Sequence, residues 1–449
     1  MAGAPLSDAT LPLMRERFRR CRNEPGLGAA LIHQAMAGFG PYPGWQQDCA
    51  ALLAGIRAQR PRVEHVILVP NRDLWLVVDE TSLAAALPPE TTVRLYYGPP
   101  GRMEASPVYP TFDARQCLPI ILDLLRALAP SSVYGRGSAQ FRCEHLIAAV
   151  KAGLPDLFLT FEAYDYASMF DDAFLAAWGY TPELGEAARN AEAFLAAHAN
   201  CIIDKTPGAE WERAARSFIQ APRQAYFPTL GTSCPDPAPA PPRQPGPFRI
   251  LCAGSMPYFR NYRPGAGFPD WAYQNIIDPI VLLSREADVF VDIFNASHDP
   301  MLDHGPAFDG YQGLFDPARV AYHPRIPLAE VAARVPSYDF GMFLFSASTV
   351  PVDYPLQQSL PNRCMSYIEG DLPLIVNREM GCMAELVERF GAGIVLAATE
   401  VAALPARLRA ADLAAMKRGA AAMHRHLVAR NRETLRLLAA RIQKVSNVK

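Results

Sequence analysis

The sequence predicts an α/β protein made of two doubly wound domains in tandem, and three observations predict it. A chain of 449 residues exceeds the size, on the order of 250 to 300 residues, at which a single hydrophobic core stops growing. A proline-dense segment, TSCPDPAPAPPRQPGPF (Thr232 to Phe248), interrupts it near the middle. On either side of that segment, short apolar runs alternate with amphipathic helical tracts, the pattern of a parallel sheet covered by helices on both faces. The predicted divisions are a first domain at 1–231, a linker at 232–247, a second domain at 248–411 and a C-terminal helical tract at 412–449.

In the first domain, LGAALIHQ (Leu27 to Gln34) reads as a strand, AGFGPYPGW (Ala37 to Trp45) as a turn and QQDCAALLAGIRAQ (Gln46 to Gln59) as a helix. VEHVILVP returns as the next strand. The alternation continues through VRLYYG (Val93 to Gly98), a helix at Cys117 to Ala129, SVYGRG (Ser132 to Gly137), a helix at Glu144 to Gly153 and DLFLTFEA (Asp156 to Ala163). It closes with a helix near Pro182 to Ala197, NCIIDKT (Asn200 to Thr206) and QAYFPT (Gln224 to Thr229). Proline removes backbone donors and favours extended chain, so 232–247 reads as a semi-rigid spacer.

The second domain restarts with FRILCAGS (Phe248 to Ser255), a helix near Trp271 to Glu286, DVFVDIFN (Asp288 to Asn295) and RVAYHPRI (Arg319 to Ile326). PLAEVAARV (Pro327 to Val335) reads as a helix and DFGMFLF (Asp339 to Phe345) as a strand. LPNRCMSYIEGDLPLIVNREMG (Leu360 to Gly381) then places a basic residue, a short helix, a buried strand and an edge loop in quick succession. GAGIVL (Gly391 to Leu396) is the last strand, and a helix fills Asp412 to Lys444.

Composition excludes several classes. Half the residues are apolar and a fifth are charged, which is globular rather than disordered composition. The formal charge of -2 gives no basic footprint for nucleic acid. Nine cysteines, odd in number and never in a C-x-x-C pair, indicate neither a disulfide framework nor a zinc cluster and point to a reducing cytoplasm. No apolar run of about 18 residues suggests a membrane span, and the Arg-rich start around Arg15 to Arg22 lacks a signal-peptide core. That start reads as a solvated helix.

In open α/β sheets ligands meet the carboxyl ends of the strands, where loops and helix amino termini present N–H groups. AGSMPYFRNYRPG (Ala253 to Gly265) follows the second domain's first strand and combines Gly254 and Ser255 with Arg260 and Arg263, which suits a phosphate or an ordinary solvated loop. Pro361 can start a helix whose free N–H groups, with Arg363, face an anion at the same edge. Loops at Gly254, Arg325 and Arg363 would converge on one crevice.

From Phe248 to Leu396, the strand ending AGS, then YHPRIPLAEVAARVPSYDFGMFLF, then LPNRCMSYIEGDLPLIVNREMGCMAELVERFGAGIVL, resembles the donor-binding domain of GT-B glycosyltransferases, close to the family-4 type. The resemblance implies two Rossmann-like domains facing a cleft, a nucleotide-sugar donor as substrate and no separate cofactor. It implies that Gly254 and Ser255 face the donor pyrophosphate beside Arg363, and that His323, Arg325 and Ile326 line the base pocket. Where the family places glutamates, this chain has Ser366 and Gln358; Glu369, one helical turn on, is the candidate replacement as ribose ligand.

Acid–base residues should come from the first domain. His33 would end its first strand, and Glu162 and Asp165 end DLFLTFEAYD; helix caps and loop hydrogen bonds are their ordinary alternatives. No Asp-x-Asp motif is present to bridge a divalent ion and a diphosphate, so metal-independent transfer is expected. Neither G-x-G-x-x-G nor a P-loop follows any strand. The basic last tract suits packing across the domains or contact with anionic lipid. The expected activity is sugar transfer to a glycan, lipid-linked or protein acceptor, alongside an epimerase or hydrolase of the same architecture and a catalytically silent glycan- or protein-binding member.

Overall fold

Strands such as HVILV are apolar on both faces, and a strand of that kind is stable only inside a parallel sheet sandwiched by helices. The computed structural model of the chain builds two such sheets. It describes residues 7–70, 81–99, 103, 105–138, 143–177, 179–227, 246–254, 276–295, 310–323, 328–346, 357–358 and 360–446.

The first unit runs α1 (Ser7–Asn23), α2 (Leu27–Gly38), α3 (Trp45–Gln59), β1 (His65–Val69), β2 (Thr92–Tyr96), β3 (Thr111–Asp113), α4 (Leu118–Leu128), β4 (Ser132–Ser138), α5 (Glu144–Gly153) and β5 (Leu159–Asp165). It continues through α6 (Asp172–Ala177), α7 (Pro182–His198), β6 (Cys201–Asp204), α8 (Ala209–Phe218) and β7 (Arg223–Ala225). Its seven strands lie in the order β3-β2-β1-β4-β5-β6-β7. Each neighbouring pair is parallel.

The second unit runs β8 (Phe248–Gly254), α9 (Ile277–Leu283), β9 (Val289–Asn295), β10 (Val320–His323), α10 (Leu328–Arg334), β11 (Phe340–Phe343), α11 (Asn362–Glu369), β12 (Leu374–Asn377), α12 (Gly381–Phe390), β13 (Gly393–Leu396), α13 (Leu404–Arg409) and α14 (Leu413–Ser446). Its six strands are ordered β10-β9-β8-β11-β12-β13, again all parallel. In each sheet the order reverses next to the unit's first strand, at β1/β4 and at β8/β11. Those reversals are the switch points where such sheets open a crevice.

The structure corrects the sequence reading in several places. LGAALIHQ is helical: Leu27, Leu31 and Ala35 are buried four residues apart while His33 is exposed, so the apolar residues follow a helical stripe rather than a strand's alternation. The Gly/Pro-rich segment therefore joins two helices, and His65–Val69 is the first strand. Helix α1 is not merely solvated. It buries Met14, Phe18 and Cys21, sets the Phe18 ring 4.9 Å from Phe218 and pairs Arg17 with Glu186 of α7 at 2.7 Å. Strand β3 and helix α8 were not anticipated. The segment predicted helical at 271–286 is described only from 276, where Ile277–Leu283 is helix, and most of the Pro-rich linker lies outside the described residues.

The C-terminal tract is not a separate body. Residues 232–429 group with the second sheet, whereas 6–231 and 430–449 group together, so α14 serves both units. Its apolar stripe, including Met423, Leu427, Leu435, Leu438 and Ile442, is buried, and Arg425, Arg432, Arg436 and Lys444 are exposed. Asn431, fully enclosed, accepts from Phe227 N–H at 2.9 Å and donates to Phe227 C=O at 3.0 Å. Thr434 donates to Ala225 C=O at 2.6 Å. Among the described residues no helix is long and apolar enough to cross a membrane.

Replacing Asn431 by Ala leaves both backbone groups of Phe227 enclosed and unpaired, which costs about 2 kcal/mol. Thermal unfolding of Asn431→Ala is expected to show a midpoint lower by roughly 4 to 8 °C; an unchanged midpoint would mean that α14 does not anchor the first unit's last strand.

Candidate functional site

At the β8/β11 switch point the backbone ladder is short. β8 matches β9 along seven residues, Phe248 to Gly254, but pairs with β11 only through Phe340↔Ile250 and Gly341↔Leu251. Where the ladder stops, Tyr367 of α11 inserts. Its hydroxyl accepts from Ala253 N–H at 2.6 Å and faces Ala253 C=O at 3.2 Å and Met342 C=O at 3.3 Å. Its side chain packs against Gly341, where a Cβ would overlap it. Burial drives its pKa well above 10, so the phenol stays neutral and keeps its donor.

Helix α11 starts at Pro361 without a side-chain cap. The positive end of its dipole therefore lies at this edge, and within the first turn Cys364 N–H donates to Pro361 C=O at 3.0 Å. Arg363, in the first turn, crosses over Gly254. Gly254 holds φ at +128°, and a Cβ there would lie within 3 Å of the guanidinium, so glycine is required twice, for its backbone angle and for the space. The guanidinium carbon sits 4.9 Å from the Phe343 ring centroid, a cation–π contact from the last residue of β11. On the far side of β11, Asn377 at the end of β12 is fully enclosed. It donates to Phe345 C=O at 2.8 Å and accepts from Phe345 N–H at 2.7 Å. The strand ends around Arg363 are thus fixed by side chains as well as by ladder.

His323 ends β10, in register with Phe294. Its Nε2 lies 2.8 Å from Asp292 Oδ1, and its ring stands edge-on to Phe294 at 4.6 Å. Of the remaining predicted residues on this edge, Ser255, Arg260, Arg263, Arg325 and Ile326 lie outside the described residues. Ser366 is half-buried on α11. Glu369 is a correction: it is exposed at the last position of α11. The helix runs back against the parallel strands, so that position faces the amino ends of the sheet, about 10 Å from the helix start at 1.5 Å per residue. Glu369 does not reach the edge where Gly254 and Arg363 meet.

The acid–base candidates separate as clearly. His33 is a correction, since it stands exposed on α2 and not at a strand end. Glu162 is another. It faces Arg136 directly across β4/β5, with Arg136 Nε at 2.9 Å and both side chains 1% exposed, and it accepts a short hydrogen bond from the Tyr134 hydroxyl. That carboxylate is consumed by an internal ion pair. Asp165, the last residue of β5, does stand at the carboxyl edge, 21% exposed and 3.1 Å from Lys205 Nζ. Burial raises its pKa against the pull of Lys205, and the Lys205 ammonium lies 4.0 Å over the Tyr164 ring.

Two enclosed carboxyls near this edge escaped the sequence reading. Glu144 opens α5 with neither oxygen bonded to another described residue; burial and then Glu192 push its pKa far up. Glu192 of α7 accepts from Ser168 N–H at 3.0 Å and Ser168 Oγ at 2.8 Å, and from Ala167 N–H. It thereby caps the turn Ala167–Met169 that follows β5, and burial pushes it up to about 7. A glutamate in a first helical turn, or midway along an Ala-rich helix, carries no sequence mark of such enclosure. Among the described residues no group of His, Cys, Asp and Glu side chains is arranged to hold a metal ion.

Two all-parallel Rossmann-like sheets, one of them followed by a long closing helix, have the fold of the GT-B class of glycosyltransferases. The particular structures it is similar to include Alr3699/HepE of Anabaena in complex with UDP and glucose, at a TM-score of 0.54 and 13% identity over 84% of this chain and 100% of that one. The same protein with UDP-glucose gives 0.51 and 12% over 83% and 98%. A glycosyltransferase from Rickettsia africae ESF-5 gives 0.52 and 10% over 85% and 98%. No family model matches the chain, and no curated protein matches it.

The raised Glu192 sets a pH dependence. The unfolded chain releases this proton near pH 4.5 and the folded chain near pH 7. The stability contributed by this group is therefore fully present below pH 4.5 and is lost as pH rises towards 7. In Glu192→Gln the decline of the unfolding midpoint between pH 4.5 and 7 is expected to be shallower than in the wild type; an equal slope would remove Glu192 as its source.

Proposed function

We propose that the chain is a glycosyltransferase that moves a sugar from a nucleotide-sugar donor to a hydroxyl-bearing acceptor, a glycan, a lipid-linked sugar or a protein, without a metal ion. The observation that carries this reading is the crossing of Arg363 over Gly254 at the β8/β11 switch point, beside the uncapped start of α11. A guanidinium, a close-approach glycine and the positive end of a helix dipole in one place suit a diphosphate. The solved complexes of the similar Anabaena protein with UDP and UDP-glucose support a nucleotide-sugar as the ligand.

When the sugar–phosphate bond breaks, negative charge grows on the leaving diphosphate. Arg363 and the α11 amides would stabilise that charge as it forms, which is where such groups lower a barrier most. On the first sheet, Asp165 is the acceptor-side proton carrier of this reading, because it combines edge position, partial exposure and a raised proton affinity.

A binding-only reading has one specific support. Ser366 and Gln358 stand where the family resemblance expects carboxylates, and Glu369 does not take their place. Such a chain would hold a nucleotide or a glycan without turning it over.

The test is thermal unfolding with UDP, GDP, CMP and dTDP at millimolar concentration. A ligand present at a hundred times its Kd stabilises by about 2.7 kcal/mol, so one nucleotide is expected to raise the midpoint by roughly 5 to 10 °C. Arg363→Ala and Gly254→Ala should each abolish the rise, the first by removing the charge and the second by displacing it. No rise with any of the four would count against a nucleotide-sugar enzyme.

A further inference from the structure

We propose that Tyr367 is the positioning residue of the phosphate site: its hydroxyl takes over the β8/β11 ladder beyond Leu251 and holds Ala253–Gly254 where Arg363 crosses. The inference rests on reading this edge as the donor diphosphate site. It concerns a residue that would not touch the ligand.

Three features of the geometry point to it. The register between β8 and β11 ends at Gly341↔Leu251, two residues before the place where the site needs a defined backbone. At that gap one side chain meets both strands, through Ala253 N–H and C=O on β8 and Met342 C=O on β11. A phenol hydroxyl has one hydrogen and two lone pairs; one lone pair accepts from Ala253 N–H, and the proton is shared between two carbonyls. The hydroxyl thus stands between two strands that an ordinary ladder would pair directly, and bonds to the backbone of both.

The second feature is that Arg363 and Tyr367 are four residues apart on α11. Side chains at that spacing share a helix flank, one turn apart. A single turn of helix therefore delivers the guanidinium onto Gly254 and the hydroxyl onto Ala253, and any shift of the helix moves both. The third is the fit of the aromatic ring against Gly341, which removes the freedom of α11 to slide along the sheet. Cation, backbone and strand spacing are coupled through one rigid side chain.

The experiment compares the wild type with Tyr367→Phe by hydrogen–deuterium exchange across 248–254 and by titration with UDP, GDP, CMP and dTDP. In the variant, exchange is expected to accelerate at Ala253 while Ile250 and Leu251 stay protected, and Kd for the bound nucleotide is expected to rise about tenfold. Asn431→Ala, which loses two enclosed hydrogen bonds far along the sequence from α11, serves as the stability-matched control and should keep Kd within twofold. Unchanged exchange at Ala253 would overturn the proposal, as would an unchanged Kd in Tyr367→Phe or an equal loss in Asn431→Ala.

If the wild type binds none of the four nucleotides, the donor reading fails and the positioning role falls with it. If the wild type binds and Tyr367→Phe binds equally well, the positioning role alone fails. Should Tyr367→Phe not fold, 3-fluorotyrosine at position 367 retains the hydroxyl and reports by its fluorine resonance. A shift on saturation with the bound nucleotide supports coupling between hydroxyl and site, and no shift overturns it.

Discussion

A parallel sheet covered on both faces leaves chemistry only one place to go. The central strands of the two sheets are buried along their length and spend most of their N–H and C=O groups on their neighbours. What remains for a ligand is the row of strand ends, where loops begin and helix amino termini point inwards. That constraint explains why Gly254, His323, Arg363 and Asn377 lie at strand ends or just beyond them. It also explains why Glu162, three residues short of the end of β5, is spent on an ion pair with Arg136. A carboxylate inside the sheet must be neutralised by a partner, since desolvation without one is prohibitive.

The switch point adds a second requirement. Two strands whose outgoing connections turn opposite ways leave a crevice between them, and a crevice weakens the ladder at the point where backbone position matters most. Here the weakness is met by side chains rather than by more backbone. Tyr367 bridges β8 and β11, and Asn377 fastens the continuation of β11 from the other side. Stiffness is thus kept at the edge, which is the condition for a preorganised binding surface.

Much of this was legible in the sequence because buried parallel strands admit few other readings. LPLIV, between a Gly-Asp turn and a polar Asn-Arg-Glu loop, is too short and too uniformly apolar for a surface helix. The strand–helix alternation of the second unit follows the same logic. LGAALIHQ failed because a short apolar run does not reveal its period; only the burial of Leu27, Leu31 and Ala35 shows the four-residue spacing. The meeting of Gly254 and Arg363 was legible because each falls in a motif that the strand–helix order carries to the same sheet edge. It was not legible where the decisive partner is remote in sequence, as with Arg136 for Glu162, or where helix direction decides, as with Glu369. Nothing near Tyr367 advertises that its hydroxyl reaches Ala253, over a hundred residues earlier.

The division of α14 between the two units has a consequence for how the chain acquires its shape. Residues 430–446 belong with a sheet whose last strand was completed some two hundred positions before them, and the whole second unit is in effect spliced into the first. During synthesis from the amino end the first sheet emerges early but lacks the helix that bonds the end of β7 until residues 430–446 are made. The second unit, uninterrupted from 232 to 429, has no such wait. Order of synthesis and order of completion therefore differ: the unit whose strands are made first receives this part of α14 only after the whole of 232–429 has been made.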